Sequence, residues 1–198
     1  MSGATADLAA RTSVALVHYP VLDQAGAVVG TAVTNLDIHD IARASRTFGL
    51  AAYYVVTPIE AQRRLVERII GHWLDGPGRA HNAKRSEALA RVRVVASLAD
   101  ARAAIAADAG AAPCLVATGA RPRADVVGYD RLRAQRAADP RPLLLAFGTG
   151  WGLAPEVFTE AEATLAPIQG RDAYNHLSVR SAVAIVLDRL FGIRDQES

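Results

Sequence analysis

The sequence contains few cysteine, lysine and aromatic residues, and no apolar run long enough to cross a membrane. Cys114 is the one cysteine in 198 residues, which excludes a disulfide within the chain and a cysteine-based metal cluster. The longest apolar runs, AVAIVL and LLLAF, are far shorter than the ~20 residues of a membrane-spanning helix. The first residues, MSGATADLAARTS, lack the hydrophobic core of a signal peptide. We therefore expect a cytoplasmic protein that binds neither a membrane nor a metal.

Basic residues are almost all arginine, since Lys84 is the one lysine. The planar guanidinium group of arginine suits phosphate and carboxylate partners. The formal net charge is only +2, so composition by itself does not indicate a dense basic surface for nucleic acid. The positions of the arginines are more informative than their number.

Apolar segments rich in Val, Ile and Leu alternate with segments of helical periodicity along most of the chain. Such segments predict strands within residues 13–21, 50–58, 93–97, 113–118, 142–147 and 163–168. Strands that are apolar throughout, separated by helices, are typical of parallel sheets covered on both faces. The sequence therefore predicts an α/β fold, with a mostly parallel sheet flanked by helices.

Three glycine-containing loops follow predicted strands, at residues 117–122, 147–153 and 167–177. Ligands of parallel sheets bind beyond the carboxyl ends of the strands, so these loops predict a ligand site. A phosphate-binding P-loop is excluded because no Gly-Lys-Ser/Thr occurs. The dinucleotide-binding fingerprint fits poorly, because the third glycine of GTGWGL comes one residue early and Trp151 would obstruct a pyrophosphate.

Three segments, in this order, carry a resemblance to a known family. The first segment, NLDIHDIARASRTFG, has an Asn and an Arg followed by a small-residue helix that ends in Phe-Gly. The second, LLLAFGTGWGL, has a strand followed by Phe-Gly and then Gly-Leu. The third, APIQGRDAYNHLSVRSAVAI, opens an Ala-rich helix. The sequence thereby resembles the SPOUT (α/β-knot) RNA methyltransferases over residues 12–192. VALVHYPV, VTNLDIHDIAR and YNHLSVRSA resemble a bacterial branch that also occurs fused to tRNA guanine-N1 methyltransferase.

The resemblance implies one domain over residues 12–192 with a deep trefoil knot in its C-terminal half, and we expect flexible termini at 1–11 and 193–198. It implies S-adenosyl-L-methionine as cofactor, tRNA or rRNA as substrate, and a homodimer in which the catalytic residues come from one subunit or from both. The residues that the family pattern assigns to cofactor binding are Thr118, Gly119, Phe147, Gly148, Gly150, Trp151, Gly152, Leu153, Ile168, Leu177, Ser178 and Val179.

The resemblance implies a catalytic role for Arg43, which aligns with the family arginine, and Asn35 and His39 near it in sequence are further catalytic candidates. Arg121 follows a predicted strand end, and Asn175, His176 and Arg180 lie at the start of the last predicted helix, so we expect them to contact substrate. Each catalytic candidate has a structural alternative: Arg43 pairs with Asp37 or Asp40, Asn35 caps a helix, and His39 packs. Two features depart from the 2′-O-ribose branch. Thr149-Gly150-Trp151 replaces a segment with Glu, and Arg43 lies two residues further from Asn35. Methylation of a ribose hydroxyl, methylation of a base nitrogen such as guanine N1, and a knotted binding module without catalysis therefore stay open.

Overall fold

A parallel sheet of six strands forms the centre of the protein. The computed structural model describes residues 3–172 and 174–193. The strands are β1 Thr12–Val17, β2 Val21–Leu22, β3 Val28–Val29, β4 Ala52–Val56, β5 Val92–Val95, β6 Cys114–Ala117, β7 Leu143–Gly148 and β8 Ala163–Thr164. The large sheet has the order β5-β4-β1-β7-β6-β8, and all its strand pairs are parallel. β2 and β3 form a short antiparallel hairpin.

Nine helices among the described residues connect and cover these strands. They are α1 Gly3–Ala10, α2 Asn35–Thr47, α3 Glu60–Leu74, α4 Gly78–His81, α5 Ala83–Leu89, α6 Leu98–Ala109, α7 Tyr129–Ala138, α8 Pro155–Glu160 and α9 Val179–Phe191. None of the helices within the described ranges combines the length and apolar character needed to span a bilayer.

The sheet separates two apolar cores. Val14 and Leu16 of β1 point into the core that buries α2, α7 and α9, whereas Ala15 and Val17 point into the core that buries α6 and α8. Because both faces are covered, every residue of β1 is buried, which explains why the strand is apolar at successive positions. The predicted α/β class and mostly parallel sheet are confirmed.

The structure differs from the expectation of a flexible segment at residues 1–11. Residues 3–10 form α1, and its Leu8 and Ala9 are buried in the core beside α7 and α9. Arg11 donates to the carbonyl oxygens of Arg136, Asp139 and Arg141, at 2.6–2.7 Å. Burial and these hydrogen bonds order the segment. The other predicted flexible terminus, 193–198, lies outside the described residues apart from Ile193.

Strand β7 lies between β1 and β6, so the carboxyl ends of three parallel strands meet at one edge of the sheet. The chain that follows each strand begins by pairing with its neighbour: Thr149 N donates to Val17 O (3.2 Å), and Thr118 N donates to Ala146 O (3.0 Å). The loops predicted to form a ligand site are thus adjacent in the fold.

Candidate functional site

A cavity of about 830 Å³ opens at the carboxyl ends of β6 and β7. Its wall is made by the three predicted loops, by residues 31–34 and 37, and by the start of α9. The sequence-predicted residues that line it are Thr118, Gly119, Arg121, Phe147, Gly148, Gly150, Trp151, Gly152, Ile168, Asn175, His176, Leu177, Ser178, Val179 and Arg180. The structure therefore brings together the predicted cofactor and substrate residues, with one exception.

Leu153 is that exception. Its side chain is 3% exposed and packs in the core on the α6 and α8 side, and its backbone forms a bridge with Val21. It supports the loop from beneath and does not belong to the cavity wall. The sequence pattern predicted an apolar residue here correctly, but did not indicate which side of the loop it faces.

The glycine loop, residues 148–152, turns back on itself at the cavity. A Cβ on Gly148 would lie 2.4 Å from the backbone N of Leu153, and Gly150 and Gly152 have φ of +58° and +106°. Trp151 N donates to Leu22 O, and Leu22 N donates to Gly152 O, both at 2.9 Å. Glycine is required because the backbone passes close to itself and adopts left-handed conformations. The loop therefore presents backbone at its glycines to the cavity, beside Thr149 and Trp151.

A chain of hydroxyl groups fixes this loop to the end of β1. Thr149 Oγ1 donates to Val17 O at 3.1 Å, and so accepts from Thr31 Oγ1. Thr31 Oγ1 also forms a hydrogen bond with His18 Nδ1, 3.1 Å away. His18 is fully buried, and this burial lowers its pKa to about 4 against the opposing influence of Asp37. The lowered pKa keeps the imidazole neutral at pH 7, and its Nε2 has no hydrogen-bond partner among the described residues.

Asp37 is the one carboxylate among the described residues that line the cavity. Its Oδ2 accepts from Thr34 Oγ1 at 2.5 Å, and its Oδ1 lies 3.4 Å from Arg180 Nη1. Thr34 is also the N-cap of α2, since its hydroxyl accepts from Asp37 N. Sequence reasoning considered Asp37 only as an ion-pair partner. The Thr-x-x-Asp spacing, which predicts a capping residue and its acidic partner at a helix start, was the signal that could have found it.

The three predicted catalytic residues lie elsewhere on α2. Asn35, His39 and Arg43 line a second depression of about 640 Å³, together with Leu36, Asp40, Arg68, Ile69, His72, Trp73 and Arg85. The structure therefore groups these three residues but does not bring them into the main cavity of the same chain.

The structure agrees with the structural alternatives for Arg43 and His39 but not with the one for Asn35. Asn35 is not the cap of α2, because Thr34 is. Arg43 Nη1 lies 4.0 Å from Asp40 Oδ1, as the ion-pair alternative predicted. His39 packs edge-on to Trp73 with ring centroids 5.6 Å apart, and burial followed by the charge of Arg85 lowers its pKa. Asp40 also connects the two sites, since its Oδ2 is 3.5 Å from Arg180 Nε.

Three rings stand at the mouth of the main cavity. The centroids of Trp151 and His176 are 6.4 Å apart, and those of Tyr174 and His176 are 5.4 Å apart, with both pairs edge-to-face. Asn175, between them in sequence, donates from Nδ2 to Ala120 O at 3.1 Å. We call Trp151, Tyr174 and His176 the aromatic rim.

The fold and the cavity define an α/β protein that binds a small ligand beyond the carboxyl ends of parallel strands. Residues 11–192 match the family model described as SAM-dependent RNA methyltransferase. The chain therefore belongs to this family of enzymes, whose methyl donor is S-adenosylmethionine. The resemblance to SPOUT methyltransferases and the predicted cofactor are confirmed.

Relatives and solved structures agree with this assignment. The chain is 48% identical over 178 residues to a tRNA (guanine-N(1)-)-methyltransferase of Oleidesulfovibrio alaskensis, covering 90% of this chain and 41% of that protein. It is 42% identical to an uncharacterised protein of Aquifex aeolicus, covering 90% of this chain and 87% of that one. The SpoU methyltransferase AviRb of Streptomyces viridochromogenes, solved with AdoMet, has a TM-score of 0.55 at 18% identity, covering 90% of this chain and 56% of that chain. The chain thus spans less than half the length of the first of these proteins.

The cavity fits S-adenosylmethionine. Its volume of about 830 Å³ lies within the ~300–1,000 Å³ of small-molecule sites. Gly148 and Gly150 line the cavity and admit no Cβ without contact to backbone below 3 Å, so the wall at these two positions is backbone. Ile168 and Leu177 add apolar wall on the opposite loop. Backbone polar groups and apolar side chains together suit a nucleoside ligand.

Proposed function

We propose that the protein transfers the methyl group of S-adenosylmethionine, bound in the main cavity, to a nucleoside of tRNA. The observation that carries the proposal is that the glycine loop, Asp37 and Arg180 line one cavity. The glycine loop and residues 165–168 hold the adenosine. Arg121 and Arg180 bind phosphate or carboxylate through their planar donors. The aqueous cytoplasm, where tRNA is found, is the proposed compartment.

When bound, the cofactor supplies an electrophilic methyl carbon, to which the nucleophile of the RNA forms a bond while the carbon–sulfur bond breaks and its electron pair stays on sulfur. The nucleophile must also lose a proton, and a positioned base accepts it. Asp37 is the proposed acceptor because it is the carboxylate at the cavity wall among the described residues. Thr34 and Arg180 hold it in place.

Calorimetric titration tests the cofactor assignment. We expect saturable one-to-one binding of S-adenosylmethionine and no binding of NAD. Binding of NAD alone would refute the proposal.

Methyl incorporation tests the role of Asp37. We expect Asp37→Asn to reduce methyl transfer to unmodified tRNA by about 100-fold or more, in the range of a lost general base, while the affinity for S-adenosylmethionine stays within about threefold. Asp40→Asn is the matched control, because Asp40 also contacts Arg180 but lies outside the main cavity. Equal activity of the two variants would exclude Asp37 as the base.

The methylated atom is identified by digesting the product to nucleosides and separating them by mass spectrometry. The proposal allows either a base nitrogen or a ribose hydroxyl as the atom that accepts the methyl group. The relative named guanine-N1 methyltransferase extends well beyond the matched region, so its activity is not assigned to this part of it. A product with 1-methylguanosine supports base methylation, and a 2′-O-methyl nucleoside supports ribose methylation.

We further propose that two copies form each complete site, with Arg43, Asn35 and His39 of one subunit reaching the cavity of its partner. The support is that these residues share a depression outside their own cavity. The test is co-expression of Arg43→Ala with Asp37→Asn, each inactive alone. If sites are shared, each mixed dimer has one intact site, and a quarter of the wild-type activity returns. If each chain is self-sufficient, no activity returns.

The C-terminal trefoil knot is part of the proposal. In its support, residues 166, 168 and 175–178, which lie between β8 and α9 in sequence, line the same cavity as residues 118–122. Pulling a single molecule from both ends tests it. A knotted chain extends less than the ~3.6 Å per residue of a fully stretched chain, because the tightened knot retains residues. Full extension would exclude the knot.

A further inference from the structure

The aromatic rim is exposed although its members are large apolar rings. Trp151 is 46% exposed and Tyr174 is 72% exposed, and His176 is also exposed. Aromatic side chains bury ~150–250 Å² each when they pack in a core, so three neighbouring rings left in water indicate a surface that a ligand covers.

The backbone holds the rim in a fixed geometry. Trp151 is tied to β2 by its N–H bond to Leu22 O, and glycines on both sides of it have positive φ, which turns the indole out of the loop. On the other side, Tyr174 N donates to the carboxylate of Asp172 at 2.9 Å, and Asn175 is bonded to Ala120 O. A preorganised surface loses less conformational entropy when a ligand binds.

Charges near the rim favour an anionic ligand. Arg121 and Arg180 line the same cavity, and the carboxylate of Asp37 is engaged by Arg180 and Thr34. Asp172 is the acidic residue nearest in sequence to Tyr174, and it accepts from the Tyr174 backbone. Flat aromatic faces beside guanidinium groups match a nucleotide, whose base stacks and whose phosphate accepts charged hydrogen bonds.

We propose that the aromatic rim binds a nucleobase of the RNA substrate that is unstacked from its neighbours, and holds it at the mouth of the cofactor cavity. The inference rests on the proposed RNA methyl transfer and names the part of the substrate that is recognised. An enzyme that modifies a base within a duplex reaches the target atom only after the base leaves its stack. The rim replaces the stacking that the base loses.

Tryptophan fluorescence tests the position of the RNA. The chain has two tryptophans, so Trp73→Phe leaves Trp151 as the one indole reporter, and Trp151→Phe leaves Trp73 in the second depression. With the cavity saturated by S-adenosylhomocysteine, we expect an unmodified tRNA transcript to quench Trp151 more strongly than Trp73, since the proposed dimer brings the second depression near the cavity of the partner. Quenching of Trp73 instead would overturn the proposal by moving the RNA to the second depression.

Two controls exclude other occupants of the rim. Full quenching of Trp151 by S-adenosylhomocysteine, with no further change on addition of tRNA, would assign the rim to the adenine of the cofactor. A change in Trp151 emission on dilution without RNA would assign it to a second copy of the chain. Either result overturns the proposal. Labelling the unsubstituted chain with 5-fluorotryptophan gives the same comparison from two fluorine resonances, without depending on the folding of a variant.

Ring substitution tests the stacking itself. We expect Tyr174→Leu and His176→Leu each to raise the KM for tRNA by about 5- to 100-fold, the range that loss of one stacked base produces, while affinity for S-adenosylmethionine stays unchanged. Tyr174→Phe keeps the stacking ring, and we expect its KM for tRNA to rise less than that of Tyr174→Leu. Methyl transfer with an unchanged KM in both Leu variants would overturn the rim assignment and leave the proposed function intact. Quenching of Trp151 by tRNA without any methyl transfer would support the rim assignment and overturn the proposed function.

Discussion

Gly148 and His18 show how single residues fix the cavity wall. Gly148 lies at the end of β7, where a side chain would meet the backbone of residues 152 and 153. His18 follows β1 and starts the hydroxyl chain that reaches the glycine loop through Thr31 and Thr149. Both act on the loop from below, so their substitution is expected to affect stability and cofactor binding together.

Substitution of Gly148 by Ala is expected to destabilise the protein by about 1–3 kcal/mol, the range for forcing extra atoms into a packed region. The contact is with backbone, which cannot move aside as a flexible side chain does. Urea unfolding measures the change. Gly128→Ala is the control, since Gly128 has φ of −71° and open space around it. An equal loss in both variants would show that the close approach at Gly148 is not the cause.

The stability of the protein is expected to fall as the pH drops from about 6.5 to about 4. Burial lowers the pKa of His18 to about 4 in the folded state, against 6.5 in the unfolded chain. Between these values the unfolded state binds more protons, so acid favours unfolding, and the contribution is fully present only above pH 6.5. The pKa shift of His18 corresponds to about 3 kcal/mol of unfolding free energy.

Urea unfolding from pH 4 to 7 checks this dependence in the wild type and in His18→Asn. Asparagine keeps a donor for Thr31 but does not titrate. The difference between the two curves isolates His18, because His39, whose pKa is also lowered, is present in both. Parallel curves would contradict the assignment.

At the scale of elements, α2 serves both depressions. Its first turn places Asp37 in the main cavity, and the face that carries Asn35, His39 and Arg43 lines the second depression. Helix α9 begins at the cavity with Arg180, which contacts both Asp37 and Asp40. Two packed helices thus connect the proposed cofactor site to the proposed contact with a second subunit.

Helix α1 is expected to contribute to stability although it precedes the first strand. Leu8 is 3% exposed in the core, so Leu8→Ala removes buried methyl groups and leaves a cavity. The expected loss is about 2–5 kcal/mol in unfolding free energy. Leu65→Ala on α3 is the matched control, because Leu65 is 47% exposed. If Leu8→Ala costs no more than the control, α1 does not pack as described.

At the scale of the molecule, the cavity is assembled from parts of the chain that are far apart in sequence. Members of the segments 31–37, 118–122, 147–152, 165–168 and 175–186 contribute to its wall. Unfolding separates these segments, so a ligand that needs all of them binds the folded state alone.

Addition of S-adenosylhomocysteine at 100 times its dissociation constant is therefore expected to stabilise the protein by about 2.7 kcal/mol. Thermal and urea unfolding with and without the ligand measure this gain. Gly148→Ala is expected to lose affinity and with it most of the gain at the same ligand concentration. A full gain in that variant would show that the glycine loop does not form the cofactor site.

The sequence by itself determined the sheet and the ligand site at its edge. Strands such as β1 and β7 are apolar at successive positions because both of their faces are buried, and that pattern is visible in the chain. The loops after β7 and before α9 contain glycines that their backbone paths require, and parallel strands bring their carboxyl ends to one edge.

Only the tertiary structure decided which residues of α2 face the cavity. Asp37 and the group Asn35, His39 and Arg43 lie on one helix, and helical spacing shows which side chains share a face but not which neighbour that face meets. Helix α9 packs against α2, and its Arg180 pairs with Asp37 at the cavity. This packing determines which face of α2 meets the cavity. Leu153 and α1 were misplaced for the same reason, because an apolar residue can pack on whichever side the fold leaves open.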